Sequence, residues 1–178
     1  MNPVLHALRC MGFTTAARVA GATGLDESTV ESELIDLAVA GLVTYEFGGW
    51  GLTEAGRAED AALVAAEVAA GRDVITKAYN DFLVLNPELL DLCTAWQTRV
   101  ARGVMLDLFV DFHARAEVVL ADVSVVLPRF ERYRARLTTA LDRARAGETQ
   151  FVTDDLEAYH TIWFQLHEDL LATLGIPR

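Results

Sequence analysis

Glycines at 12, 24, 41, 48–49 and 71 cut the first 71 residues into pieces too short for anything but small helices and a hairpin. Between these breaks the apolar residues recur at helical spacing. PVLHALRCM predicts a helix over 3–11, stopped at Gly12. Thr14 or Thr15 caps a second helix through Ala22, with Gly24 in the following turn. Asp26 is a suitable N-cap for a third helix reaching about Ala40, in which Val30, Leu34, Leu37 and Ala38 form one apolar stripe. Beyond Gly41, LVTYEF and WGLT read as two short strands. Gly48-Gly49 lies between them, where glycine supplies the positive φ of a two-residue hairpin turn. Thr53 then caps an alanine-rich helix from Glu54 to Ala70, ended by Gly71.

The order helix, helix, helix, hairpin, helix narrows the fold further. Its carriers are the two helices around Gly24, the AGLV at 40–43 and the GWGLTEAG at 49–56. In these residues the chain resembles the MarR and PadR-like transcriptional regulators over about residues 3–70. The resemblance implies a winged helix-turn-helix domain at 1–71, in a regulator that binds double-stranded DNA.

Residues 72–178 read as wholly helical. ITKAYNDFLVL is followed by Asn86-Pro87, a cap and first-turn proline that predict a new helix through ELLDLCTAWQTR. A long helix over 104–127 stops at Pro128, which opens an arginine-rich helix through Ala146. Thr153 or Asp154 starts a last helix to Leu174. The expected fold is therefore mainly α, an N-terminal winged helix followed by a C-terminal helical bundle. FLVLNPELLDLCTAWQTR and YHTIWFQLHEDLLATLG are also similar to a helical region attached to such winged helices in bacterial regulators, and to pairings joined to relatives of pyruvate phosphate dikinase. The long apolar helices of this half point to a homodimer.

Charge pulls against the resemblance. In a helix-turn-helix reader, the start of the third helix enters the major groove. Here that face offers Ser28, Thr29 and Ser32 beside Glu31, Ile35 and Asp36. Phosphate contacts come largely from Lys and Arg. Residues 1–71 contain three basic side chains, Arg9, Arg18 and Arg57, against ten acidic ones, a net of −7. The resembled regulators carry basic residues after Gly-Leu-Val and in a longer wing; Thr44, Tyr45 and Glu46 stand here instead. Two functions stay open: a transcriptional regulator, with Arg18 and Arg57 among its DNA contacts, and an acidic winged-helix module that docks on a protein.

Two further patterns lie in the C-terminal half. Arg129, Arg132, Arg136 and Arg143 share a narrow helical strip, beside an apolar face of Phe130, Tyr133, Leu137, Leu141 and Ala144. The first three are candidate DNA contacts, and the alternative is that the strip neutralises nearby acidic helices. On the last helix, His160, Trp163 and His167 fall on one face. With Trp96, His113 and Tyr159 they make a candidate pocket for a small-molecule effector. Glu157 and His160 make one E-x-x-H, but a di-iron bundle needs two. His160 and His167 stand about 10 Å apart along a straight helix, too far to share an ion.

No metal, cofactor or catalytic group is expected. Ser28, Ser32 and Ser124 lack an elbow motif, and no glycine-rich phosphate loop occurs. Cys10 and Cys93 read as buried, reduced thiols among apolar neighbours, with no histidine placed beside either. The net charge of −11 disfavours anionic membranes. No apolar run approaches the roughly 20 residues of a membrane span, and MNPVLHALRCMG carries no secretory pattern. A cytoplasmic protein is expected.

Overall fold

A computed structural model describes residues 1–69, 71–98 and 102–177. The chain is mainly helical, with one two-stranded antiparallel sheet among the described residues. It divides into two compact units, Met1–Ala70 with His167–Arg178, and Gly71–Leu166. The C-terminal end of the chain thus belongs with the N-terminal unit, which a linear division at residue 71 does not include. No helix among the described residues is long and apolar enough to cross a membrane.

The first unit is built as the glycine breaks predict. Helix α1 spans Pro3–Met11; the Asn2 side chain accepts from the Leu5 amide, and Gly12 closes the helix with φ 70°. Helix α2, Ala16–Thr23, is capped by Thr15 and ends at left-handed Gly24. Helix α3 spans Glu27–Val39. Asp26 occupies its N-cap position, but its side chain makes no capping bond. Val30 and Leu34 of the predicted stripe are buried, and Leu37 and Ala38 are half-buried. They close a core with Val4, Leu5, Leu8, Val19, Val43 and Leu52.

Strands β1, Val43–Glu46, and β2, Gly49–Leu52, pair antiparallel with Val43 opposite Leu52 and Glu46 opposite Gly49. The hairpin turn is therefore Phe47-Gly48, one residue earlier than expected, and Phe47 itself takes φ 53°. Register explains the slip. Pairing Val43 with Leu52 sends both into the core, and a shifted turn would break that match. Thr14 bridges to Trp50 by two backbone hydrogen bonds, pinning β2 from its other edge. Thr53 caps α4, Glu54–Val68, accepting from the Gly56 amide at 3.0 Å. The expected end at Ala70 lies outside the described residues.

In the second unit, α5 runs unbroken over Arg72–Gln97 with Pro87 inside it, so the expected helix start at Asn86-Pro87 is not there. Asn86 serves the core instead, its Oδ1 accepting from Trp163 Nε1 at 2.9 Å. Proline removes one ladder donor. Buried Ile75, Ala78, Phe82 and Leu85 before it and Leu89, Leu92, Cys93 and Trp96 after it keep one stripe in phase. Arg99, at the expected end of this segment, lies outside the described residues. Helix α6, Arg102–Val126, packs along α5 and α7. Pro128 opens a 3₁₀ turn through Phe130 before α7, Glu131–Arg145. Residues Thr149–Phe151 form another 3₁₀ turn. Helix α8 is Tyr159–Leu174, five residues or more shorter at its start than predicted.

Candidate functional site

Ser28, Thr29 and Ser32 are exposed on the first two turns of α3, and with Glu33 and Asp36 they line a shallow depression. The other exposed side chains of α3 and the hairpin are acidic or apolar: Glu27, Glu31, Ile35 and Val39 on α3, and Tyr45, Glu46 and Phe47 on the hairpin. Phe47 at the turn is 99% exposed and Val39 87%. Arg18 is half-buried on α2 and Arg57 exposed on α4, and no Lys or Arg lies in the chain between them.

The arginine strip runs from Arg129 in the 3₁₀ turn onto α7 and makes contacts within its own unit. Arg136 donates to Glu157 at 2.9 and 3.0 Å and to Gln165 at 2.9 Å. Arg143 pairs with Glu148 and stacks 3.6 Å over the Phe151 ring. Arg129 lies over Phe130, 5.1 Å from its ring centre. Burial and the neighbouring Arg136 charge lower the pKa of Arg132. Of the four, Arg136 and Arg143 are shown with an acidic partner, Glu157 and Glu148.

Four residues of the expected effector pocket, Trp96, His113, Tyr159 and Trp163, make aromatic contacts within the second unit. Trp96 meets Phe109 edge-on, Phe82 stacks on Trp163, and Tyr159 sits among Phe109, Phe112 and His113. Close-packed rings of this kind are core. His113 bridges the Tyr159 hydroxyl and Thr138 at 3.1 and 3.2 Å. His160 is half-buried, and His167 belongs to the other unit. A cleft of about 230 Å³ in this unit is lined by Arg136, Thr139, Arg143, Phe151 and Glu157 among others, and by none of those six.

The densest chemistry lies where the sequence suggested plain core. His6 of α1 is 3% exposed and is gripped at both ring nitrogens. Its Nδ1 lies 3.1 and 3.2 Å from the two carboxylate oxygens of Asp60 on α4, which is 1% exposed. Its Nε2 lies 3.1 Å from Asp169 Oδ1 on α8 and 3.7 Å from Cys10 Sγ, one helical turn along α1. Thr173 donates to the same Asp169 oxygen at 2.9 Å. Burial works against a charge on His6, but Cys10, Asp169 and the hydrogen bonds to both aspartates raise its pKa well above 6.5. Burial, opposed by His6, pushes the Cys10 thiol up. Both shifts favour the proton-bearing form of their group.

Cys10 therefore does have a placed histidine, contrary to the sequence expectation, and its surroundings are not purely apolar. Cys10, His6 and Asp60 have the connectivity of a nucleophile, base and orienting acid. A nucleophile must meet its substrate, and all three are buried. Sequence reasoning missed the cluster because its members are residues 6, 10, 60 and 169. One signal was present: Asp60 falls in phase with buried Gly56, Val64 and Val68 on α4, a charge on an inward stripe. No family model, curated protein or solved structure matches the chain.

Proposed function

We propose that the N-terminal unit is a winged-helix module in a regulatory protein, and that its α3 and hairpin face docks on a protein partner. The order of elements, the Gly24 turn between α2 and α3 and the hairpin leading into α4 support the winged-helix reading. One observation carries the choice of partner. From Arg18 to Arg57 the presented surface has no cation, while Ile35, Val39, Tyr45 and Phe47 stand exposed among Glu27, Glu31, Asp36 and Glu46. A duplex rewards cations that release its counterions. Acidic groups around exposed apolar side chains suit a basic, partly apolar protein surface.

Duplex DNA is the second reading, favoured by Ser28, Thr29 and Ser32 lying open at the start of α3. A photoreactive phenylalanine analogue at position 47, activated in the native host, separates the two. The expected product is a discrete protein adduct that survives nuclease and disappears when Ile35 and Val39 are both changed to Asp. A nuclease-sensitive adduct, or selective duplex binding by the purified chain that weakens steeply with salt, would overturn the docking reading.

A further inference from the structure

The His6 cluster reaches beyond a buried ion pair. His6, Cys10 and Asp169 each present one donor atom, and these lie within 4.8 Å of one another. The set is nitrogen, sulfur and carboxylate oxygen, the ligands that borderline divalent ions such as Zn²⁺ accept. We propose that His6 Nε2, Cys10 Sγ and an Asp169 carboxylate oxygen form a binding site for a divalent transition metal ion of the zinc class.

Three features carry the assignment. The first is spacing. Zinc bonds of about 2.0–2.3 Å at tetrahedral angles place nitrogen and oxygen ligands about 3.4 Å apart, and nitrogen and sulfur about 3.6 Å apart. The two separations from His6 Nε2 are 3.1 Å to Asp169 and 3.7 Å to Cys10, close to those values, and all three atoms lie within 4.8 Å of one another. The second is support. Asp60 holds His6 Nδ1 at 3.1 Å, which fixes the tautomer with Nε2 turned to the ligand position, and Thr173 orients Asp169 at 2.9 Å. The third is rigidity. His6 and Cys10 share one face of α1 at i and i+4, and all five groups are buried in one compact unit.

Only deprotonated nitrogen and sulfur ligate, so any proton on His6 Nε2 or Cys10 Sγ leaves to solvent as the ion binds. His6 then ligates as a neutral ring whose Nδ1–H still donates to Asp60. The site lies in the interior, so the ion enters as the unit folds.

The test uses Co²⁺ as a spectroscopic stand-in on the full-length protein. The chain is unfolded in denaturant with reductant, then refolded with one equivalent of Co²⁺. With a water molecule as fourth ligand, we expect visible bands of a tetrahedral cobalt ion and a near-ultraviolet thiolate-to-metal band, both abolished by one equivalent of Zn²⁺. Cys10→Ser removes the thiolate band, while Cys93→Ala keeps it. Asp60→Asn, which retains a hydrogen-bonding side chain on Nδ1, weakens binding about 10–100-fold. Far-ultraviolet circular dichroism on each sample establishes that it has folded. If a Cys10 variant fails to refold, alkylation of Cys10 in the parent serves instead, and bound Zn²⁺ should slow it. A folded parent with no cobalt spectrum, a spectrum that survives Cys10→Ser, or alkylation indifferent to Zn²⁺ overturns the site.

Discussion

His6 and His113 are both taken from water, and their pKa values move in opposite directions. Desolvation works against a charge on His6, but Cys10 and the carboxylates of Asp169 and Asp60 outweigh it, and its pKa rises. Around His113 on α6, desolvation wins: Glu117 and Asp142 pull toward the charged form without cancelling it, and the pKa falls below 6.5. The hydroxyls of Tyr159 and Thr138 can satisfy a neutral ring, since each can donate or accept. The unfolded chain therefore takes up this proton first on acidification. The contribution of neutral His113 to stability is whole above pH 6.5 and drains as pH drops from there through the folded pKa. His113→Gln removes the titration. Urea midpoints followed against pH should fall less steeply below 6.5 for His113→Gln than for the parent. His6 titrates in the other sense and is present in both proteins, so the difference between the curves isolates His113. Parallel curves would show that the ring's burial has no energetic consequence.

At the scale of elements, two helical glycines should answer the same substitution with opposite signs. Gly21, inside α2, has nothing within 4 Å of the place a Cβ would take. Replacing it with Ala only restricts the unfolded chain, and should stabilise by about 0.5–1 kcal/mol. Gly56, in the first turn of α4, would put a Cβ 1.9 Å from the Leu42 carbonyl oxygen, a backbone atom that cannot step aside. There the clash exceeds the propensity gain, and Gly56→Ala should cost about 1–3 kcal/mol in denaturant unfolding. Glycine's meaning is thus only half visible in a sequence. Those at 12 and 24 stop helices where the apolar periodicity stops, so both ends were legible. The close approach at Gly56 depends on where another segment lies. Pro87 misled for a related reason. Its local penalty of about 3 kcal/mol is smaller than the gain from burying several large side chains, each about 1.5–3 kcal/mol, on both sides of it. The stripe continues in phase from Leu85 to Leu89, a pattern that favoured one helix over two.

For the whole molecule, legibility follows distance along the chain. The α3 face was readable because Ser28, Thr29 and Ser32 are neighbours in sequence, whereas His6 and Asp169 are separated by 163 residues and no local period joins them. That long link makes residues 1–71 an incomplete unit. A chain ending there keeps α1 to α4, the hairpin and the imidazole pair with Asp60, but loses His167–Arg178, where Asp169, Leu170, Leu171, Thr173 and Leu174 are buried. His6 would then face solvent or a void through Nε2, having lost Asp169. Small domains have little stability to spare, since a unit of this size buries only about 60% of its unfolded surface. The fragment is therefore expected to show a broad, low-temperature melt by circular dichroism. Adding a peptide of residues 159–177 in trans should sharpen the melt and raise its midpoint, and the same peptide with Asp169→Ala should do so less. A sharp, concentration-independent transition of the bare fragment, at the midpoint of the full chain, would mean that the C-terminal segment is a passenger on this unit and not a part of it.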